Sequence, residues 1–119
     1  MNPQVFKKRR EVISLIHAAK RLFPQLPRID VRVTENDETI LGVATMGKRK
    51  IWITEKSTVS RAVVFHEILH AVFSQKHVAS CPLMAPAIDS KLPDDVCNEM
   101  FLKYVTLNSK AFSKRGSQT

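Results

Sequence analysis

Of the twelve residues from Ala62 to Phe73, nine are apolar, and the other three are His66, Glu67 and His70. No glycine or proline interrupts the run. It is too long for an ordinary strand and suits a helix of about three turns. A helix that is apolar on every side has no face to give to water and belongs at the centre of a domain. The chain therefore has to fold around this segment. Burying two imidazoles and a carboxyl there costs free energy unless each finds a partner.

The rest of the chain supplies a cover. Residues 2–23 read as an amphipathic helix, with Val5, Val12, Ile16, Ala19 and Phe23 on one stripe. Ile13 and Leu22 widen that stripe, and Pro24 and Pro27 stop the helix. Ile29-Asp30-Val31-Arg32-Val33 alternates as a half-buried strand does. Residues 35–38 form a polar turn. Residues 40–45 and 50–54 read as two more strands, joined by Met46-Gly47-Lys48 as a hairpin connection. Ser57 or Thr58 is positioned to cap the central helix, which runs to about Ser74. Residues 78–92 hold Pro82 and Pro86 and read as a loop. A last helix starts near Pro93 and carries Val96, Cys97, Met100, Phe101 and Tyr104 on its apolar stripe. The expected fold is α+β: a small sheet packed against an N-terminal helix, the central helix and a C-terminal helix. Residues 1–108 make one domain, and 109–119 make a basic, flexible tail.

Composition narrows the setting. The two cysteines, Cys81 and Cys97, form no CxxC pair, so free thiols and a reducing, cytoplasmic compartment are expected. No stretch of about 18 apolar residues is present to span a membrane. The net charge is +8, from 19 Lys and Arg against 11 Asp and Glu. Those cations are spread over Lys7-Lys8-Arg9-Arg10, Lys48-Arg49-Lys50 and the tail, which reads first as solvated surface. The same excess allows nucleic acid as a partner.

The three polar residues of the central segment spell H-E-x-x-H. Histidines at i and i+4 share one helix face, so both imidazoles can reach one metal ion. Zinc bound there lowers the pKa of its water toward about 7. Glu67, next to the first ligand, can take the water's proton and pass it to a leaving amine. A catalytic zinc site has three protein ligands and a water. His77 is the nearest candidate in sequence, but seven residues of continuous helix rise about 10 Å. His77 therefore serves only if the helix ends first and the chain turns back. No glycine lies between His70 and His77 to make that turn. Asp94 is the alternative: of Asp94, Asp95 and Glu99 it lies best beside the last helix's apolar stripe. The simpler reading of all three acids is that they complement the helix dipole.

With these residues the chain resembles the zincin metallopeptidases, and among them the metzincin clan. The clan's motif is H-E-x-x-H-x-x-G-x-x-H followed by a Met-turn. His66-Glu67-Ile68-Leu69-His70 matches its first part, and Cys81-Pro82-Leu83-Met84-Ala85-Pro86 is similar to the Met-turn of matrixin-like enzymes. The glycine has no counterpart, and six residues rather than five separate His70 from His77. The resemblance implies His66, His70 and His77 as zinc ligands, Glu67 as general base and Met84 packed beneath the metal. A second likeness is to the ImmA/IrrE type, in which a downstream carboxylate, here Asp94, would be the third ligand. A third is to the SprT group, which acts on DNA-bound proteins.

The expected function is zinc-dependent hydrolysis of a protein or peptide substrate, laid along a strand edge of the 40–54 region. Tyr104, the only tyrosine, reads as a core residue. The alternative is a zincin-fold regulatory module that contacts DNA or a partner protein through its basic N-terminal helix, without proteolysis. A chance H-E-x-x-H in a structural protein would show no loss of stability on chelation.

Overall fold

The computed structural model describes residues 3–34, 43–45, 49–54 and 59–117, with 34, 43–45, 54 and 110–117 described by backbone alone. Helix α1 spans Pro3–Leu22, strand β1 Asp30–Thr34, β2 Val43–Thr45 and β3 Lys50–Thr54. Helix α2 spans Arg61–Phe73 and α3 spans Asp94–Ser117. The α+β order expected from the sequence is the order observed. The polar turn at 35–38, the residues 40–42, the 46–48 connection and the caps at Ser57 or Thr58 lie outside the described residues.

The three strands form one mixed sheet in the order β1-β3-β2. β1 runs parallel to β3, with Val31 opposite Ile51, Arg32 opposite Trp52 and Val33 opposite Ile53. β2 runs antiparallel to β3, with Ala44 opposite Ile51. Alternation then decides the faces. Val31, Ile51 and Ile53 are buried, whereas Asp30, Arg32 and Trp52 are exposed on the other side. α1 and α2 lie on the buried face, and α3 packs on α2.

α1 contributes Val12, Ile16, Ala18 and Ala19 to the core. α2 contributes nearly its whole surface, Ala62 to Leu69 and Ala71 to Phe73 being buried. Its two ends are tied to neighbours. At the start, Ser60 has extended backbone and its hydroxyl accepts from the Val63 N–H at 3.3 Å. Ser60, nearer the helix than the Ser57 or Thr58 expected, is therefore the cap that satisfies an orphan amide. At the end, the Ala71 carbonyl accepts from the Arg49 N–H at 3.3 Å, which joins the head of β3 to the last turn of α2.

α3 crosses α2 through an aromatic pair, Phe65 and Phe101, whose centroids are 4.6 Å apart. Arg61 reinforces this crossing by donating to Asn98 Oδ1 at 2.7 Å. The α3 backbone stays helical to Ser117, past residue 108 where the sequence reading placed a tail. No proline occurs after Pro93, and the only glycine is Gly116, so nothing stops the helix earlier. Cys81 and Cys97 are both free and buried. Among the described residues no helix is long and apolar enough to cross a membrane.

Candidate metal centre

His66 and His70 project from one face of α2, four residues apart, with ring centroids 4.6 Å apart. Their Nε2 atoms face each other at 3.0 Å. The other nitrogen of each ring is already committed. His66 Nδ1 lies 2.7 Å from the Leu83 carbonyl, and His70 Nδ1 meets the Gln75 carbonyl. A carbonyl can only accept, so each Nδ1 carries the proton and donates it. Each Nε2 is then a bare lone pair. Two bare lone pairs 3.0 Å apart repel unless something positive lies between them, and a metal ion is the fitting cation.

His77 completes the group. Its ring centroid is 5.3 Å from that of His66 and 4.8 Å from that of His70. One ligand atom from each of the three histidines lies within 4.8 Å of the others, so the triad can hold a metal ion. It grades from buried His66 through half-buried His70 to exposed His77, which leaves one side open to solvent.

The turn that brings His77 back is made without glycine. α2 ends at Phe73, and Ser74 takes the left-handed conformation, φ 53° and ψ 30°. That conformation costs a non-glycine residue roughly 1–2 kcal/mol. The reversal is closed by the Gln75 N–H donating to the Leu69 carbonyl at 3.0 Å. It delivers two things at once, the Gln75 carbonyl to His70 and the His77 ring to the site. The extra residue between His70 and His77 is absorbed in this turn.

The loop after His77 folds under α2. The Val78 N–H donates to the Met84 carbonyl at 2.8 Å and the Cys81 N–H to the Val78 carbonyl at 3.0 Å. Leu83 and Met84 are fully buried by this closure, and the Leu83 carbonyl is the one that orients His66.

Glu67 is buried beside the triad, its Oε1 3.8 Å from His66 Nε2. Burial pushes its carboxyl up to about 7 from an ordinary 4.5. Burial also lowers His66 to about 4, with the neighbouring His70 and His77 adding to the effect against the Leu83 hydrogen bond. His70 is lowered by burial too. Both imidazoles are therefore neutral at pH 7, which is the form a metal requires.

Asp94 is not brought to the triad. It is exposed at the start of α3 and pairs with Arg61 Nε at 3.5 Å. With Asp95 it lies in the first turn of α3, where acids complement the helix dipole. Tyr104 is buried in the core.

Sequence reasoning did not find the groups that hold the ligands. Leu83 and Gln75 act through backbone carbonyls, which no side-chain pattern announces. Asn108 on α3 acts one step further out, donating from Nδ2 to Gln75 Oε1 at 2.9 Å. The same Nδ2 lies 2.7 Å from the Tyr104 carbonyl, which fixes it on its own helix.

No family model, no curated protein and no solved structure matches this chain.

Proposed function

We propose that the chain is a zinc-dependent metallopeptidase of zincin type, with His66, His70 and His77 as ligands and Glu67 as general base. One observation carries the reading: two Nε2 atoms face each other at 3.0 Å, each ring held from behind by a carbonyl at its Nδ1. Two nitrogens on a tetrahedral zinc, each about 2.0–2.1 Å from the ion, stand roughly 3.3 Å apart. The donor set therefore fits zinc with little movement. Three imidazoles with one open side match a catalytic site better than a closed structural one. When bound, zinc would polarise the scissile carbonyl and acidify a water on that open side.

The protein's own part is proton handling and positioning. Glu67, with a carboxyl held near 7, suits a group that takes a proton from water and returns it to the leaving amine at neutral pH. Its burial excludes bulk water from that exchange. The Leu83 and Gln75 carbonyls hold the two helix ligands in one tautomer, so they need no reorganisation. β2 is an edge strand of the sheet, within the 40–54 region expected to take an extended substrate. Main-chain hydrogen bonds along that edge would register the peptide and leave side-chain choice to its surroundings.

Two variants test the proposal. Purified protein should carry about one zinc per chain, and His70→Ala should lose it. Glu67→Gln should keep the zinc and lose peptide hydrolysis by on the order of a hundred- to ten-thousandfold. Protein that takes up no zinc in equilibrium dialysis overturns the site. A zinc-loaded protein that cleaves nothing, alongside an equally silent Glu67→Gln, overturns the peptidase while leaving the site.

A further inference from the structure

A second feature lies away from the triad, where α1 meets the free edge of β1. A groove of about 380 Å³ runs there, with Arg9, His17, Lys20 and Arg28 among the residues that line it. It continues past Arg9 into a second space of about 410 Å³ that takes in Phe6 and Arg32. Among the described residues the acid on these walls is Asp30, already paired with Arg32 at 3.3 Å. Arg9 and Lys20 are eleven residues apart on one helix, so they stand about 16 Å apart along the groove. The spacing makes a basic track rather than a single anion pocket.

Exposed aromatic rings stand at one end of this track, on either side of Arg32. Phe6 is 52% exposed at the far end of the groove. Trp52, the only tryptophan, is 40% exposed on the open face of the sheet. It stands opposite Arg32 in the β1–β3 register, and Lys50 Nζ lies 5.7 Å from its ring centroid. Folding ordinarily hides such rings. Here both flank the same arginine.

We infer that this track binds single-stranded nucleic acid: Arg9, Lys20, Arg28 and Arg32 follow the phosphates, and Phe6 and Trp52 take bases by stacking. A row of cations with exposed rings beside it is what a single strand needs, because every base has a face to stack and every linkage a charge. An acidic peptide would use the cations and leave the rings without a role. A duplex would hide its bases from them. The track involves none of the triad residues, so it stands or falls separately from the peptidase.

The test is fluorescence anisotropy of a labelled fifteen-residue oligothymidylate against the full chain. Four phosphate contacts on a single strand should weaken binding about fiftyfold between 50 and 200 mM salt. Arg9→Ala with Arg28→Ala should reduce that salt effect to about sevenfold. Trp52→Ala and Phe6→Ala should each weaken binding by at least about fivefold at constant salt. Lys103→Ala, an exposed cation on α3, serves as control and should change little. A urea unfolding midpoint close to the parent's shows that each variant keeps the fold. No binding at 50 mM salt overturns the inference. So does binding that ignores both ring substitutions, or that a polyglutamate competes away as well as unlabelled oligothymidylate does, since either means diffuse charge.

Discussion

α1 and α2 pack on the same face of one small sheet, yet they solve burial in opposite ways. α1 is amphipathic: Val12, Ile16 and Ala19 go in, and Lys7, Arg9, Arg10 and Lys20 stay in water. Its charges cost nothing to keep and so place little demand on the rest of the fold. α2 has no solvent side. His66 and Glu67 are 5% and 6% exposed, and their partners had to be built around them. The cap at Ser60, the left-handed Ser74, the folded 78–84 loop and the Asn108–Gln75 contact all serve that one helix. Polar groups in a core organise their neighbourhood, whereas polar groups on a surface only decorate it.

The contrast can be tested by substitution, and the largest effect falls on Glu67. Burial holds its carboxyl at about 7, against an ordinary 4.5. Between those values the folded chain keeps a proton that the unfolded chain has released, so stability falls as pH rises. His66 runs the other way: its folded value of about 4 lies below the ordinary 6.5, so its contribution is lost as pH falls between them. In metal-free protein, Glu67→Gln removes only the first effect. It should match the parent near pH 4 and exceed it by on the order of 3 kcal/mol at pH 8, measured by urea unfolding. An equal difference at both pH values would show that packing, not ionisation, is responsible.

Asn108→Ala should weaken metal binding by about ten- to a hundredfold, as loss of an outer support usually does. Competition with a chromophoric chelator reads this directly, and the unfolding midpoint of the metal-free protein should move little. A loss of stability with metal affinity intact would reassign Asn108 to helix packing.

Ser74→Gly should stabilise the chain by about 1 kcal/mol or less. Glycine removes the left-handed penalty but adds freedom to the unfolded state. Destabilisation would mean that the serine side chain holds the turn in a way its backbone angles do not reveal.

The smallest effect belongs to α1. Arg10→Ala, on its exposed side, should shift stability by no more than about 0.5 kcal/mol. A larger shift would erase the contrast between the helices.

Most of the fold was legible in local patterns. The alternation in residues 29–33 and 50–54 separated the faces of the sheet correctly, and the α1 stripe named Val12, Ile16 and Ala19 while missing Ala18. Those patterns work because each residue's side is set by its own element's period. The C-terminal helix was less legible. A polar, basic run resembles a tail whether or not its backbone is helical, and here it is helical to Ser117. The sequence reading put the cap of α2 at Ser57 or Thr58, whereas the chain enters the helix at Ser60, whose hydroxyl makes the capping bond.

By itself the sequence determined that a largely apolar helix would sit at the centre and carry His66 and Glu67 into the core, with His70 half-buried beside them. Helical spacing put both imidazoles on one side, and the cost of burying them demanded a partner. The tertiary structure decided what the chain alone left open between His77 and Asp94. Ser74 turns the backbone left-handed and returns His77 to His66 and His70, while Asp94 pairs with Arg61 away from them. It also decided the tautomers, through carbonyls from Leu83 and Gln75. A carbonyl is common to every residue, so its importance lies in where the folded chain carries it.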